Sequence, residues 1–383
     1  MCSASSAPAA RRLNTYTAGS GGNTFTFTAR LTNDSVTLQS LQASVTKSTA
    51  TMSTQVVTGV VSSAIANAFS AVTVTPVAVN SGGVSINFAA TPKSEIEERT
   101  DHAFEALAYA GKEKKPILKA PKYAIEREWS AWMDMRGTGW QNHNADVGMN
   151  GAQFNATGGI GRKLTPDLLV GVFAGYEYFK YNMAALNAEM KGSGGSVGPY
   201  LGWRISPTLR FDAMLGYARV SYSGSADTAS GSFHGDRLFG STGLTGTYAV
   251  GTYKLEPSAS IYALWEKQNA YVDSLGTAQD ERKFSAGRTS LGGRVITPLD
   301  YGTYALSPYV GFYGDWRFSS DNSAVAAGST TAVGIENGWS GRVTAGLGVT
   351  SRGGTSVAVG GELGGLGADY KIWSGNVRLN QPF

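Results

Sequence analysis

The chain has a single cysteine, Cys2, in 383 residues. One thiol excludes an intramolecular disulfide and a thiolate metal site, and this one is read as incidental. Charge is also sparse: Asp, Glu, Lys and Arg make up 16% of the residues, against about 25% in an ordinary soluble domain. The net charge of +4 comes from Lys and Arg scattered among acids. With no basic stripe, no nucleic-acid partner is expected. No run of 18 apolar residues occurs, so a transmembrane helix is excluded. The three histidines, His102, His143 and His234, form neither an HExxH motif nor a His/Cys ligand spacing. There is no nucleophile elbow of the Gly-x-Ser-x-Gly kind between a strand and a helix. The run Gly158–Lys163 lacks the spacing of a phosphate loop and lies inside a strand pattern. The expectation is therefore no enzyme and no cofactor.

What the chain does have is 50 Gly, 18 Tyr and 15 Phe. Low charge with abundant Gly and Tyr, and no apolar run, leaves a membrane β-barrel or a Gly-rich secreted β-protein. The last residues favour the barrel. Trp373, Gly375, Val377 and Leu379 share one face of a strand, with Lys371, Asn376, Arg378 and Asn380 as polar neighbours, and the chain stops at Phe383. An apolar aromatic face opposite a charged one suits a strand between lipid and a wet lumen.

From Glu128 onward this pattern repeats. Alternating segments occur at 128–139, 148–164, 168–181, 189–205, 208–222, 233–250, 252–271, 283–296, 303–318, 335–350, 355–363 and 369–379, giving twelve strands. Long polar connections such as 140–147, 182–188, 223–232, 269–282 and 319–334 alternate with short ones such as Thr165-Pro166-Asp167 and Arg352–Gly354. That alternation belongs to an up-and-down barrel with outer loops and tight periplasmic turns. Tyr176, Tyr178, Trp203, Tyr222, Trp265, Tyr271, Trp316, Trp339 and Trp373 are placed in aromatic girdles facing lipid.

The opposite faces supply a polar wall. Its candidates are Asp134, Arg136, Arg210, Asp212, Glu256, Glu266, Arg288, Arg294, Asp315, Arg317, Arg342, Glu362 and Arg378. They could pair with one another as structural ladders, or contact a segment held in the pore. A polar wall is needed by any peptide inside, because unpaired backbone groups in a dry pore cost on the order of several kcal/mol each. Twelve strands fall between the filled lumen of eight and the open channel of sixteen, leaving room for one helix.

The N-terminal third is less uniform. Residues 1–50 are rich in Ser, Thr and Ala and read as disordered or as the remnant of an upstream β-rich domain. Residues 51–72 carry Val, Ala, Ile and Phe at helical spacing, and 73–92 suggest a small hairpin. Ser94 with Glu97 forms a capping box for a helix over 94–111, which ends at Gly111 before Pro116 and Pro121. Residues 51–127 are thus expected to be a linker with two helices. Ser94–Ala110, about 25 Å long as a helix, is the leading candidate to thread the pore. Arg11-Arg12 precedes a polar stretch rather than an apolar one, so no export signal is visible. A longer precursor, starting upstream of Met1, is expected.

Residues 128–383 resemble the autotransporter β-domain, the translocator of type V secretion. The resemblance rests on Glu128–Gly139 as first strand, on the turn at Leu164-Thr165-Pro166-Asp167, and on Tyr370–Leu379 with terminal Phe383. It implies an all-β fold: a 12-stranded antiparallel transmembrane barrel in the bacterial outer membrane, with an N-terminal helical segment in the pore. It also implies export of the chain's own N-terminal passenger to the cell surface, and a last strand read by the β-barrel assembly machinery. Trp373, Val377, Leu379 and Phe383 are the candidates for that signal. Gln381 and Pro382 depart from the apolar alternation common there. The alternatives are a stand-alone porin-like channel and an adhesin acting through loops 223–232, 269–282 and 319–334.

Overall fold

A computed structural model describes residues 11–20, 23–32, 34–69, 84–89, 128–142, 148–183, 187–301, 304–321, 337–351 and 356–382. Strands β1 (Arg11–Ser20) and β2 (Asn23–Thr32) pair as an antiparallel hairpin. The helix α1 (Asp34–Phe69) follows, and then a short strand β3 (Val84–Ala89). The remaining described elements are strands: β4 (Trp129–Asn142), β5 (Met149–Thr165), β6 (Leu168–Met183), β7 (Ala188–Ser206), β8 (Leu209–Ala226), β9 (Ala229–Gly246), β10 (Tyr248–Val250), β11 (Tyr253–Gln268), β12 (Tyr271–Val272), β13 (Ala278–Gln279), β14 (Arg282–Ile296), β15 (Leu299–Tyr301), β16 (Tyr304–Asp321), β17 (Gly338–Ser351), β18 (Ser356–Leu366) and β19 (Tyr370–Pro382).

Twelve of these strands close into an antiparallel barrel. β4 to β9 pair in sequence, β9 pairs with β11, and β11, β14, β16, β17, β18 and β19 continue the circuit. β10 and β15 extend two of the short turns, and β12 pairs with β13 as a small separate hairpin at the other end. The seam is of two kinds. Tyr370–Gly375 pairs directly with Gly137–Asn142 in antiparallel register. Toward the short-turn end β3 lies between the two strands, antiparallel to Ala131–Met135 and parallel to Leu379–Pro382.

The side chains sort as a barrel wall requires. Along β8, Asp212, Met214, Ala218, Val220 and Tyr222 are buried, while Leu215 is 52% exposed and Tyr217 46%. Phe312 is 63% exposed on the outside, whereas Asp315 on the same strand is 1% exposed inside. In this chain the exposed face is therefore the apolar one. Six of the girdle residues, Tyr176, Tyr178, Trp203, Trp265, Trp316 and Trp339, lie on it, as does Trp373. Two do not. Tyr222 is buried in the lumen, stacked on Phe233 at 5.0 Å between centroids, and Tyr271 stacks on the other face of Phe233. Aromatic identity alone pointed them outward; the alternation of β8 turns Tyr222 in, whereas Tyr271 lies past the end of β11, in β12, where the alternation of that strand has stopped.

The strands also run further than the periodicity indicated. β8 and β9 continue through the expected loop 223–232 to a two-residue turn at Asp227-Thr228, where Asp227 takes a positive φ of 48°. Gly, Ser and Ala there disguise a strand as a loop. Asn187, φ 46°, turns the neighbouring connection and donates from Nδ2 to Asp227 Oδ1 at 2.8 Å.

The helix fills the lumen. Its 36 residues are about 54 Å long at 1.5 Å per residue. It starts at Asp34, inside the stretch read as disordered, and ends at Phe69, within the helix expected over 51–72. The candidate plug over 94–111 lies outside the described residues. Of the hairpin expected over 73–92, only the strand 84–89 is described. The N-terminal half of α1 escaped notice because its apolar stripe is thin, Leu38, Leu41 and Val45 among Ser, Thr and Gln, and because the helix is enclosed all round, with none of its described side chains exposed. Its many hydroxyls bond back to carbonyls of the preceding turn. Ser40 donates to Val36, Ser44 to Ser40, Thr46 to Gln42, Ser48 to Ser44 and Thr51 to Lys47, at 2.7–3.0 Å.

The wall admits the helix through absent side chains. A Cβ on Gly202 of β7 would overlap Ile65 of α1 and crowd Phe69. Gly202→Val is expected to push the last turns of α1 off the wall, at about 1–3 kcal/mol for overpacking. Hydrogen exchange of amides 60–69 should quicken at least severalfold. Unchanged exchange would show that β7 does not set the helix position.

Candidate functional site: the lumen

The helix crosses the barrel from one end to the other, and both of its ends are fixed. At the end with the longer connections, the Asp34 carboxylate accepts from the Thr228 hydroxyl at 2.6 Å and from its amide at 3.3 Å. The Ser35 hydroxyl donates to Thr277 at 3.1 Å, and Gln279 Nε2 to the Ser35 carbonyl at 3.3 Å. At the short-turn end, Arg204 Nη2 donates to the carbonyl of Phe69 at 2.6 Å and lies over the Phe69 ring. A cation on an unsatisfied C-terminal carbonyl is favourable for both charge and hydrogen bonding.

Between these ends the lumen is divided. The helix leans chiefly on β7, β8 and β9. There Val57, Val61, Ile65 and Phe69 pack with Phe173, Tyr200, Met214 and Phe239, and nearer the long-connection end Leu38, Leu41 and Val45 join a cluster that includes Phe179, Met190 and Tyr222. The opposite wall is ionic. Arg342 Nε reaches Asp315 at 2.8 Å and its Nη1 reaches Glu362 at 3.4 Å. Arg288 also reaches Asp315, at 3.3 Å, and Arg136 lies 3.8 Å from Glu362 and donates to Ser374 at 2.8 Å. Arg294 pairs with Glu256, and on β8, the helix's own side, Arg210 lies 3.7 Å from Asp212. Long side chains of the helix cross to this wall: Gln55 Nε2 donates to Glu362 at 3.2 Å, and Lys47 Nζ to Ser319 at 3.5 Å.

The thirteen wall candidates can now be placed. Asp134, Arg136, Asp212, Glu256, Glu266, Arg288, Arg294, Asp315, Arg317, Arg342 and Glu362 are buried on inward faces, and Arg210 is partly buried in the same lumen. Arg378 sits opposite Ala358 in register, but its side chain is outside the described set. Ladder pairing and helix contact both occur among them: Asp315 serves the wall, whereas Glu362 serves the wall and Gln55. Of the candidate terminal signal, Trp373 and Val377 face outward, 48% and 44% exposed. The side chain of Leu379 and all of Phe383 lie outside the described residues.

One buried network was missed. Arg237 donates from Nε to Glu266 at 2.8 Å, from Nη1 to Glu177 at 3.1 Å, and from Nη2 to the Tyr222 hydroxyl at 3.2 Å. Tyr222 donates to Glu266 at 2.7 Å, and Gln42 of the helix reaches Gln268, which in turn donates to Glu266. Ser53 of the helix bonds Glu177, and Asn155 Nδ2 donates to Ser53 at 2.8 Å. Glu177 lies between two outward tyrosines, Tyr176 and Tyr178, so period-two alternation could have placed it inside. Arg237 is likewise flanked by outward Leu238.

Among the described residues no group of three His, Cys, Asp or Glu side chains is arranged to hold a metal ion. No helix among them is long and apolar enough to cross a membrane. The ionic side chains are arranged to line and brace an enclosed space.

Two outcomes test this geometry. Arg237→Met leaves Glu177 and Glu266 buried without their cation, and should destabilise the chain by about 3–5 kcal/mol in urea unfolding from detergent micelles. The triple change Glu177→Gln, Arg237→Met, Glu266→Gln should recover most of it; a single variant of native stability would show that the network carries no weight. The second concerns Asp273, in the loop that holds Ser35. Burial raises its carboxyl pKa, but hydrogen bonds from Ser35, the Thr277 and Leu275 amides and Gln279 outweigh burial and hold it below its ordinary value. A depressed folded pKa stabilises above the unfolded value, about 4 for Asp, and that stabilisation is lost as pH falls through the folded one. Amides 34–40 should therefore exchange faster at acid pH in the native chain, corrected for intrinsic rates, with a smaller change in Asp273→Asn. Equal responses would remove Asp273 from the latch.

Comparison with known proteins agrees with this architecture. The family model of the autotransporter β-domain matches residues 131–362. No curated protein matches by sequence. Among solved structures, the β domain of the Bordetella autotransporter BrkA aligns with a TM-score of 0.50 at 15% identity, covering 65% of this chain and 98% of that one. The transport unit of the autotransporter AIDA-I from Escherichia coli aligns with a TM-score of 0.50 at 16% identity, covering 68% and 92%. The translocator domain of NalP from Neisseria meningitidis aligns at 0.48 with 16% identity, covering 73% and 93%. At such identities the BrkA and AIDA-I structures speak for the fold, and the family match speaks for descent. A transport domain of the outer membrane, rather than a catalytic one, is what that family denotes. The chain belongs to the autotransporter β-domain family, and its barrel is an outer-membrane translocator and anchor.

Proposed function

We infer that residues 128–383 are the membrane-spanning translocator, that residues 34–69 are the segment held in its lumen, and that residues before Asp34 belong to what is carried to the cell surface. The observation that carries this reading is the polarity of α1. Asp34 is bound among the longer connections, near Thr228 and Thr277, and Phe69 is bound beside the short turn at Pro207. Short turns belong to the periplasmic side of outer-membrane barrels and longer loops to the outside. A chain that leaves the lumen through Asp34 toward its N-terminus then leaves on the cell surface. Trp129, where the barrel begins, is paired with Arg162 near the periplasmic end.

The remaining partners follow from the same faces. Lipid covers Leu215, Ile261, Leu291 and Phe312, which are 42–63% exposed around the barrel. The assembly machinery reads the last strand, with Trp373, Val377, Leu379 and Phe383 as its outward or terminal positions. The ionic wall serves a passing polypeptide by offering alternative partners to polar groups, whose burial without partners is costly.

A signal peptide and a small reporter fused ahead of Arg11 should place the reporter on the outer surface, accessible to protease on intact cells. A reporter retained in the periplasm by an assembled, heat-modifiable barrel would overturn the export reading and favour a porin-like channel.

A further inference from the structure

Because the helix leans on one side, it leaves space on the other. A cavity of about 430 Å³ lies between the lower part of α1 and the ionic wall, toward the short-turn end. At about 30 Å³ per water it could hold a hydrated ion of some size. Among the described residues, seven basic side chains line it, Arg136, Arg210, Lys254, Arg288 and Arg294 among them, against two carboxylates, Asp212 and Glu256. Asp134, Asp315 and Glu362 stand near these arginines, and counting them still leaves an excess of cations. Arg288 also faces Arg317 directly across the strand pair, like charge against like.

The guanidinium groups are not used up by their protein partners. Arg136 and Arg288 are 3% and 8% exposed, and in each the Nε has no protein partner. Arg210 Nε, on β8, makes no hydrogen bond and has only Asp212 Oδ1 near it, at 3.7 Å. Each group is already oriented by another contact: Arg136 by Ser374, Arg288 by Asp315, Arg210 by Thr245. Oriented guanidinium groups with unsatisfied N–H, beside a lumen cavity with surplus positive charge among the described residues, match the flat oxygen faces of an oxyanion.

We propose that this vestibule binds a multivalent oxyanion of the phosphate class, with Arg136 and Arg288 as its principal donors. The site stands independently of the export reading, since it needs only the folded, helix-filled barrel. Bound anion would neutralise the surplus charge at that end of the lumen and hold the helix-filled state together by mass action.

The test is isothermal titration of the full chain in zwitterionic detergent with sodium pyrophosphate, with spermidine as a cationic probe. Pyrophosphate should bind saturably, with affinity that falls as salt rises, and spermidine should give no saturable heat. Arg136→Gln with Arg288→Gln should weaken pyrophosphate at least tenfold, while Lys180→Gln on the outer face leaves it unchanged. Heat-modifiable gel mobility identifies which variants are folded. If the double variant does not fold, protection of amides 55–69 by pyrophosphate in the native chain decides the matter. Absence of saturable binding to the native chain would overturn the proposal. So would equal affinity in the folded double variant, or a failure of pyrophosphate to alter that protection where the variant does not fold.

Discussion

A helix enclosed on every side cannot rely on water to satisfy its polar groups, and α1 is such a helix. The rest of the molecule answers that constraint. The Ser and Thr residues of α1 turn their hydroxyls back on the preceding carbonyls, which leaves little polar surface for the wall to match. Residues that cannot do this, Gln42, Ser53 and Gln55, are met by Gln268, Glu177 and Glu362. A buried polar group costs heavily without a partner and little with one. These three contacts add direction to the apolar packing in fixing the helix along its axis and about it.

The wall divides its labour. On β7 to β9, glycines and inward aromatics receive the Val and Ile face of the helix: Gly202 makes room for Ile65, and Gly216 makes room for Phe239 behind it. On the far side, arginine and carboxylate ladders link strands that the helix hardly touches, joining β14, β16, β17, β18 and β4 through Arg288, Asp315, Arg342, Glu362 and Arg136. Such ladders are poor sources of net stability, because charges lose hydration when buried. They do keep a lumen polar when its occupant changes, which a dry apolar wall could not. The same period-two geometry that turns these groups inward turns Leu215, Trp265 and Phe312 outward.

Much of this was legible in the sequence. Twelve alternating segments anticipated the twelve strands, and the inward placement of Asp315 and Arg317 beside outward Trp316 followed from parity alone. What escaped reading has physical causes. Strand ends built of Gly, Ser and Ala, as at 223–232, lack the apolar alternation that marks a strand in lipid, because they project beyond it. Tyr222 was assigned by residue type where parity should have ruled, and Tyr271, which shares the parity of outward Trp265, lies beyond the end of β11. The first half of α1 was opaque for a deeper reason. Amphipathic periodicity reports a helix with one dry and one wet face, and Asp34–Thr51 has neither. A Ser- and Thr-rich stretch of that kind has modest helix propensity, and it is the surrounding barrel that makes it a helix.

The central claim is that each strand of this barrel has one face toward acyl chains and the other toward a helix-filled lumen. Tryptophan fluorescence in bilayers of brominated phospholipid addresses it directly, using variants that keep one tryptophan each. Trp265, 56% exposed on the outer face, should be strongly quenched, and Trp140, fully buried in the lumen, should not. Equal quenching at the two positions would contradict the account.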